Sequence, residues 1–185
     1  MERSQRGDRG AFETLVRRYE ARLYAFFFRL TGGRGAAATD DLFQETFLRA
    51  FKNRVAFDPQ RRFAPWLYGI AAIVWKDYLR REARAKGWPA LSEEAAETQA
   101  RAFHHRTNLV EELEKRDVQE IVREEIGRLP PDPRMVLILR QYQGLSYQEI
   151  GKALNLPLGT VKSRLHSALA TLKERLSRRG LLPLS

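Results

Sequence analysis

The chain has 185 residues, 43% hydrophobic and 30% charged, with no cysteine and a net charge of +10. That length suits one medium domain or two small ones, and the composition suits a folded chain rather than a disordered one. It excludes disulfides, thiolate metal sites and cysteine nucleophiles, and no run of about 18 apolar residues is present to form a membrane span.

The opening MERSQRGDRG has no apolar core behind its charges, so no secretion signal is expected. A cysteine-free chain fits a reducing, cytoplasmic setting. The positive charge predicts attraction to polyanions. It is also divided: residues 1–90 carry +8, residues 91–125 carry −5 and residues 126–185 carry +7. Two basic blocks around an acidic middle suggest two polyanion-binding units.

In chain order, nearly every segment reads as helix. Phe12, Leu15, Val16, Tyr19, Leu23, Phe26, Phe27 and Leu30 recur at steps of three and four, one apolar stripe. Asp8 is its expected N-cap and Gly32-Gly33 its stop. A second helix is expected to start at Asp41, capped with Gln44, and to carry Leu42, Phe43, Phe47, Leu48 and Phe51. A third is expected near Pro65, with Leu67, Ile70, Ala71, Val74 and Tyr78 on one face and a basic end at Arg80, Arg81, Arg84 and Lys86. Periodicity then fades, and residues 87–111 read as a flexible linker. Val118, Ile121, Val122, Ile126 and Leu129 resume a stripe, Pro130-Pro131 breaks it, and Met135, Ile138, Leu139 and Tyr142 form another, closed by Gly144. The fold class expected is all-α: two small helical domains, 8–86 and 112–178, joined by that linker.

Residues 144–176 are the most informative. Ser146 and Glu149 form a capping box, so a short helix should run over 147–154, burying Ile150 and Leu154. Gly151 would let a neighbouring helix approach. Asn155 suits a left-handed helix end, and Pro157 opens the next helix. A short helix, a tight turn and a second helix make a helix-turn-helix. On the second helix, Val161, Leu165, Ala168, Leu169 and Leu172 should pack inward. Lys162, Ser163, His166 and Ser167 fall on the opposite face, with types that suit base edges and phosphates in a major groove. Gly159 and Thr160 in the first turn can offer backbone N–H groups to a phosphate, and Arg164 is expected to reach one from the side. The plain alternative, a solvated basic helix, does not account for the ordered capping, turn and second helix together.

The whole chain resembles the extracytoplasmic-function group of the sigma-70 family. Three motifs carry the resemblance: DDLFQETFLRAFKN at 40–53, FAPWLYGIAAIVWKDYLRR at 63–81, and residues 129–173 around the helix-turn-helix. The resemblance implies a region 2 domain over 8–86 and a region 4 domain over 112–178. It implies that Asp41, Leu42, Gln44, Glu45, Phe47 and Leu48 contact the clamp of core RNA polymerase. It implies that promoter DNA is read at its −35 element by Gly159, Thr160, Lys162, Ser163, Arg164, His166 and Ser167. Separation of strands at the −10 element then falls to Arg61, Arg62, Phe63, Trp66, Ile73, Lys76 and Arg80. Basic groups that track a backbone and aromatic faces that stack bases suit that task, although Phe63 and Trp66 are equally compatible with core packing, and Trp75 reads as core or domain-interface packing. An anti-sigma protein is a further implied partner. Family members usually read W-L-Y-R-I-A-x-N here; Gly69 replaces the arginine and Ile73 the asparagine, so Ile73 offers shape without a hydrogen bond.

No catalytic, cofactor or metal site is expected. His104 and His105 fall in the linker, His166 lacks a catalytic partner, and helix capping explains the Asp40-Asp41 pair. Glu111, Glu112 and Glu114 read as a solvated helix face. A helix-turn-helix regulator that never touches polymerase would explain residues 144–178 but leave 40–81 without a task. A nucleic-acid-processing enzyme would need a catalytic cluster that the sequence lacks.

Overall fold

The computed structural model describes residues 1–33, 36–86 and 118–182; the linker, His104, His105 and Glu111, Glu112 and Glu114 lie outside them. Among the described residues the chain is helical with no strand, in the order α1 (Glu2–Gln5), α2 (Arg9–Leu30), α3 (Ala36–Lys52), a 3-10 turn (Arg54–Ala56), α4 (Phe63–Ala85), α5 (Val118–Gly127), α6 (Pro131–Gln141), α7 (Tyr147–Leu154) and α8 (Leu158–Arg178). None of these helices is long and apolar enough to cross a membrane.

The local signals act as their chemistry dictates. Asp8 Oδ1 accepts from the Ala11 N–H at 2.9 Å, capping α2, and that bond is the main reason its carboxyl sits below the usual carboxylate range. Gly32 and Gly33 end α2 at φ +72° and +75°. Pro131 occupies the first turn of α6, where a missing N–H costs nothing.

Two boundaries differ from the sequence reading. α3 begins at Ala36 rather than Asp41, because the alanine run 36–38 favours helix strongly enough to extend it a turn upstream. Asp40 and Asp41 are therefore interior helix residues and cap nothing. α4 begins at Phe63, two residues before Pro65, which still falls in the first turn where proline is tolerated.

α2, α3 and α4 pack into one bundle, and α5, α6, α7 and α8 into another. Leu23, Phe26, Phe27 and Leu30 of α2 and Leu67, Ala71 and Val74 of α4 are fully buried in the first. Met135, Ile138, Leu139, Ile150, Val161 and Leu165 fill the second. The bundles share one apolar core: α4 lies against α7, and α2 against α5 and α6.

Candidate nucleic-acid interface

The helix-turn-helix forms as its sequence dictates. The Ser146 hydroxyl oxygen accepts from the Glu149 N–H at 3.2 Å, and Glu149 Oε2 accepts from the Ser146 N–H at 2.8 Å. Burial raises the Glu149 carboxyl, but the Ser146 N–H and hydroxyl and the Arg62 guanidinium outweigh it and leave it below its ordinary value. Asn155 ends α7 in the left-handed region at φ 53° and ψ 51°. Leu156 then donates to the Gly151 carbonyl at 2.8 Å. Gly151 serves the turn rather than a neighbouring helix: a Cβ there would meet the Leu156 carbonyl oxygen at 3.0 Å. Leu154 is half-buried.

α8 divides by face. Val161, Leu165, Ala168 and Leu172 are buried, while Gly159, Lys162, Ser163, His166 and Ser167 are exposed and Thr160 is half-buried. The Ser163 hydroxyl donates to the Thr160 carbonyl at 3.1 Å. Its proton is committed, so its oxygen is left to accept from a base amino group. Two expectations change. Leu169 is 43% exposed rather than inward, because the helix's apolar face narrows past Ala168. Arg164 is held by Asp132 of α6 at 2.7 Å, so here it ties α8 to α6 rather than reaching outward.

The second set gathers at the start of α4. Phe57, Phe63 and Trp66 form an edge-packed triad with ring centroids 5.0–5.8 Å apart. Tyr19 packs on Phe63 at 5.1 Å. Phe57 is buried and the other two are half-buried, so each is both packing and surface. The Gln5 amide holds this loop by donating to the Phe57 carbonyl at 2.6 Å and the Arg54 carbonyl at 2.9 Å. No periodic signal marked Gln5; only its tertiary neighbours give it a task. Arg61 pairs with Asp58 at 3.0 Å, Arg62 with Glu149 at 2.5 Å, and Arg80 with Asp77 at 3.1 Å. Ile73 is 57% exposed and Lys76 is exposed. Trp75 is buried and stacks on Tyr78 at 5.5 Å.

On α3 the six polymerase candidates split. Asp41, Gln44 and Leu48 are exposed and Glu45 half-buried. Leu42 and Phe47 face the core at 1% and 7% exposure, so contrary to expectation they do not form the surface; they hold the helix that presents the others. Phe47 packs on Phe12 and Phe43. Arg49 joins Glu45 at 2.7 Å and Asp77 of α4 at 2.8 Å, fixing α3 to α4 and leaving the guanidinium harder to deprotonate through its hydrogen bonds to Asp77 and Glu45.

This division into two helical units has relatives. Residues 15–85 match the family described as sigma-70 region 2, and residues 119–172 match sigma-70 region 4. The chain is 32% identical over 180 residues to the ECF RNA polymerase sigma factor SigW of Bacillus subtilis, covering 93% of this chain and 92% of that protein. It is 33% identical over 172 residues to the ECF RNA polymerase sigma-E factor of Escherichia coli, covering 91% and 87%. Its fold resembles the sigma factor RpoE solved with the anti-sigma factor NepR from Bartonella quintana, at a TM-score of 0.69 and 20% identity over 90% of this chain and 97% of that one. It also resembles CnrH solved with the cytosolic domain of CnrY, at 0.67 and 24% over 96% and 94%. The region 2 match gives the first bundle the task that a lone helix-turn-helix regulator leaves unfilled. With the α2–α4 bundle and the helix-turn-helix bundle both accounted for, the chain belongs to the extracytoplasmic-function group of the sigma-70 family, the RNA polymerase sigma factors.

Proposed function

We propose that this sigma factor holds a promoter at two points while docked on core polymerase. The helix-turn-helix unit over 112–178 places α8 in the major groove of the −35 element, with Lys162, Ser163, His166 and Ser167 toward the bases and the Gly159–Thr160 turn on a phosphate. The unit over 8–86 binds the polymerase clamp through Asp41, Gln44, Glu45 and Leu48. Its α4 helix and the loop before it assist strand separation at the −10 element, where Phe63 and Trp66 offer stacking faces and Arg61, Arg62, Lys76 and Arg80 attract the backbone. Linking two modest contacts on one scaffold raises their joint affinity and makes spacing part of promoter choice.

The observation that carries this reading is the segregation of α8: Val161, Leu165, Ala168 and Leu172 are buried while a lysine, two serines and a histidine stand outward in one stripe. The working compartment is the cytoplasm, where polymerase and chromosome meet. An anti-sigma protein completes the reading, since the similarly folded sigma factor RpoE is described in complex with the anti-sigma factor NepR. Run-off transcription with core polymerase, with and without this chain, tests the proposal. A defined transcript that requires the chain is expected; no stimulation at any promoter tried overturns it.

A further inference from the structure

The loop between α3 and α4 carries Phe57, Arg61 and Arg62 with little regular structure to hold it. Past the 3-10 turn the backbone is extended at Phe57, φ −73° and ψ 127°, and residues 58–62 are all exposed. A turn supports it from within: the Arg61 N–H donates to the Asp58 carbonyl at 3.0 Å, and the Gln60 N–H to Asp58 Oδ1 at 3.0 Å. α4 then starts with no side-chain cap at Arg62. The fixed point comes from α1. Gln5 Nε2 donates to the carbonyls of Phe57 at 2.6 Å and Arg54 at 2.9 Å, and approaches that of Val55 at 3.4 Å. Its two hydrogens thus face three acceptors, which settles which end of the amide is the nitrogen. Arg54 answers across the same seam, its Nε donating to the Ser4 carbonyl at 3.3 Å. α1 is itself hung on α2. Ser4 is buried, Arg3 pairs with Asp8 at 2.9 Å, and the Asp8 N–H donates to the Arg3 carbonyl at 3.1 Å. Asp8 is also the N-cap of α2.

We propose that Gln5 is a positioning residue for strand separation: by holding the Arg54–Phe57 carbonyls it sets the loop that presents the aromatic and basic groups to the melted −10 strand. The inference rests on the assignment of this loop and α4 to strand separation. Phe57 is the joint between the two roles. Its carbonyl takes the shortest of the Gln5 bonds, while its buried ring packs on Trp66 at 5.0 Å and Phe63 at 5.8 Å. A shift of the Phe57 backbone therefore moves the two half-buried rings on which a base would stack, relative to Arg61 and Arg62 beside them. A loop set in advance also spares the bound strand the entropy of ordering it. Gln5 touches no base in this account; it acts through the loop. The sequence gives it no periodic or capping signal, and the carbonyls it serves lie 49 and 52 residues away.

Gln5→Met tests this, because methionine keeps the length and the neutral charge of glutamine and removes the donor. The full chain is assembled with core polymerase and titrated against two probes from a promoter that the parent transcribes. One is a non-template oligonucleotide spanning the −10 element; the other is a duplex that stops upstream of it and carries only the −35 element. Gln5→Met should weaken binding of the single strand by about 3- to 10-fold, the worth of one or two neutral hydrogen bonds. Binding of the −35 duplex and co-purification with core should match the parent, and Tm should fall by no more than about 3 °C. Hydrogen exchange over residues 54–62 should quicken in the variant. Gln5 is half-buried at the surface, so the core is not at stake; Gln5→Asn, one methylene too short to reach, should repeat the effect and guards against a misfolded Met variant. Single-strand binding equal to the parent's in a folded variant, or unchanged exchange in the loop, overturns the proposal. So does a uniform loss on both probes and on core, which a merely structural residue would give. Lys76→Ala separates this from the reading beneath it: weakened strand binding by Lys76→Ala but not by Gln5→Met overturns the positioning role alone, and no effect of either variant overturns both.

Discussion

Arg134 Nη1 of α6 donates to the Leu30 carbonyl oxygen, the last of α2, at 2.5 Å. Its Nε and Nη2 both donate to the Leu129 carbonyl, at 3.0 and 2.5 Å. One guanidinium thus satisfies the terminal carbonyl of α2 and the carbonyl of Leu129, two residues past the end of α5. The side chain is buried, and among the described residues no carboxylate pairs with it. Burial, with repulsion from Arg175, pushes it down to about 10, so it remains charged at neutral pH. Two effects oppose each other: the desolvated charge destabilises, and its charge-assisted bonds stabilise.

The bonds should win, because the planar fork satisfies both acceptors at once. Arg134→Met is expected to destabilise the protein by about 1–3 kcal/mol, since two carbonyls lose their donor. In thermal unfolding this is a fall in Tm of several degrees. Arg134→Lys should recover only part of it. A Met variant that melts higher than the parent would show that the desolvation cost dominates.

Lys162 and Arg164 are two residues apart on α8 yet should behave differently. Lys162 is exposed, whereas Arg164 is bound to Asp132. Lys162→Ala should weaken −35-dependent transcription and lower the slope of log affinity against log salt by about one, with Tm nearly unchanged. Arg164→Ala should lower Tm and leave the salt slope near that of the parent. An unchanged slope for Lys162→Ala removes that residue from the interface; a reduced slope for Arg164→Ala means the Asp132 bridge opens on DNA.

The architecture was readable where one short-range rule acts alone. Asp8, Gly32-Gly33, the Ser146–Glu149 box and Asn155 each satisfy a local backbone need, and each sits where its chemistry places it. The start of α3 is hidden in the sequence because Asp41 looks like a cap, while the alanines before it have no face to display in a periodicity count. Which side of α3 faces outward was harder still. Leu42, Phe47 and Leu48 are all apolar, and only the packing of α2 and α4 decides that Leu48 stays at the surface. Arg164 and Gln5 were illegible for the same reason: Asp132 and the Phe57 carbonyl lie 32 and 52 residues away in sequence, and no local pattern records such pairs.

The split on α3 separates stability from binding. Leu42 is fully buried, so Leu42→Ala should cost about 2–5 kcal/mol through lost burial and the cavity left behind. Any loss of polymerase binding by that variant should track its loss of fold. Gln44→Ala is expected to retain the parent stability to within about 0.5 kcal/mol, as surface changes usually do, yet to reduce co-purification with core polymerase. Glu45→Ala should do the same with a slightly larger stability loss, because Arg49 loses one of its two partners. Wild-type co-purification by the Gln44→Ala, Glu45→Ala double variant would argue that the clamp binds another face.

Glu149 carries the clearest pH dependence. It closes the α7 capping box and meets Arg62 across the two bundles, and these contacts hold its carboxyl below the ordinary range against the opposing effect of burial. A group whose folded pKa is depressed stabilises the fold above its unfolded pKa, and that contribution is lost as pH falls through the folded value. Glu149→Gln keeps the shape but cannot ionise. The parent should therefore exceed Glu149→Gln in stability at neutral pH, and the difference should shrink as pH falls below the ordinary carboxylate range, vanishing once the parent's Glu149 is protonated. Denaturant unfolding of both proteins from pH 7 down to acid measures it. Because only part of the contribution comes from Arg62, Arg62→Ala should shrink the neutral-pH difference without abolishing it, leaving the Ser146 share. A difference that grows toward acid would mean that burial, rather than Ser146 and Arg62, controls this carboxyl.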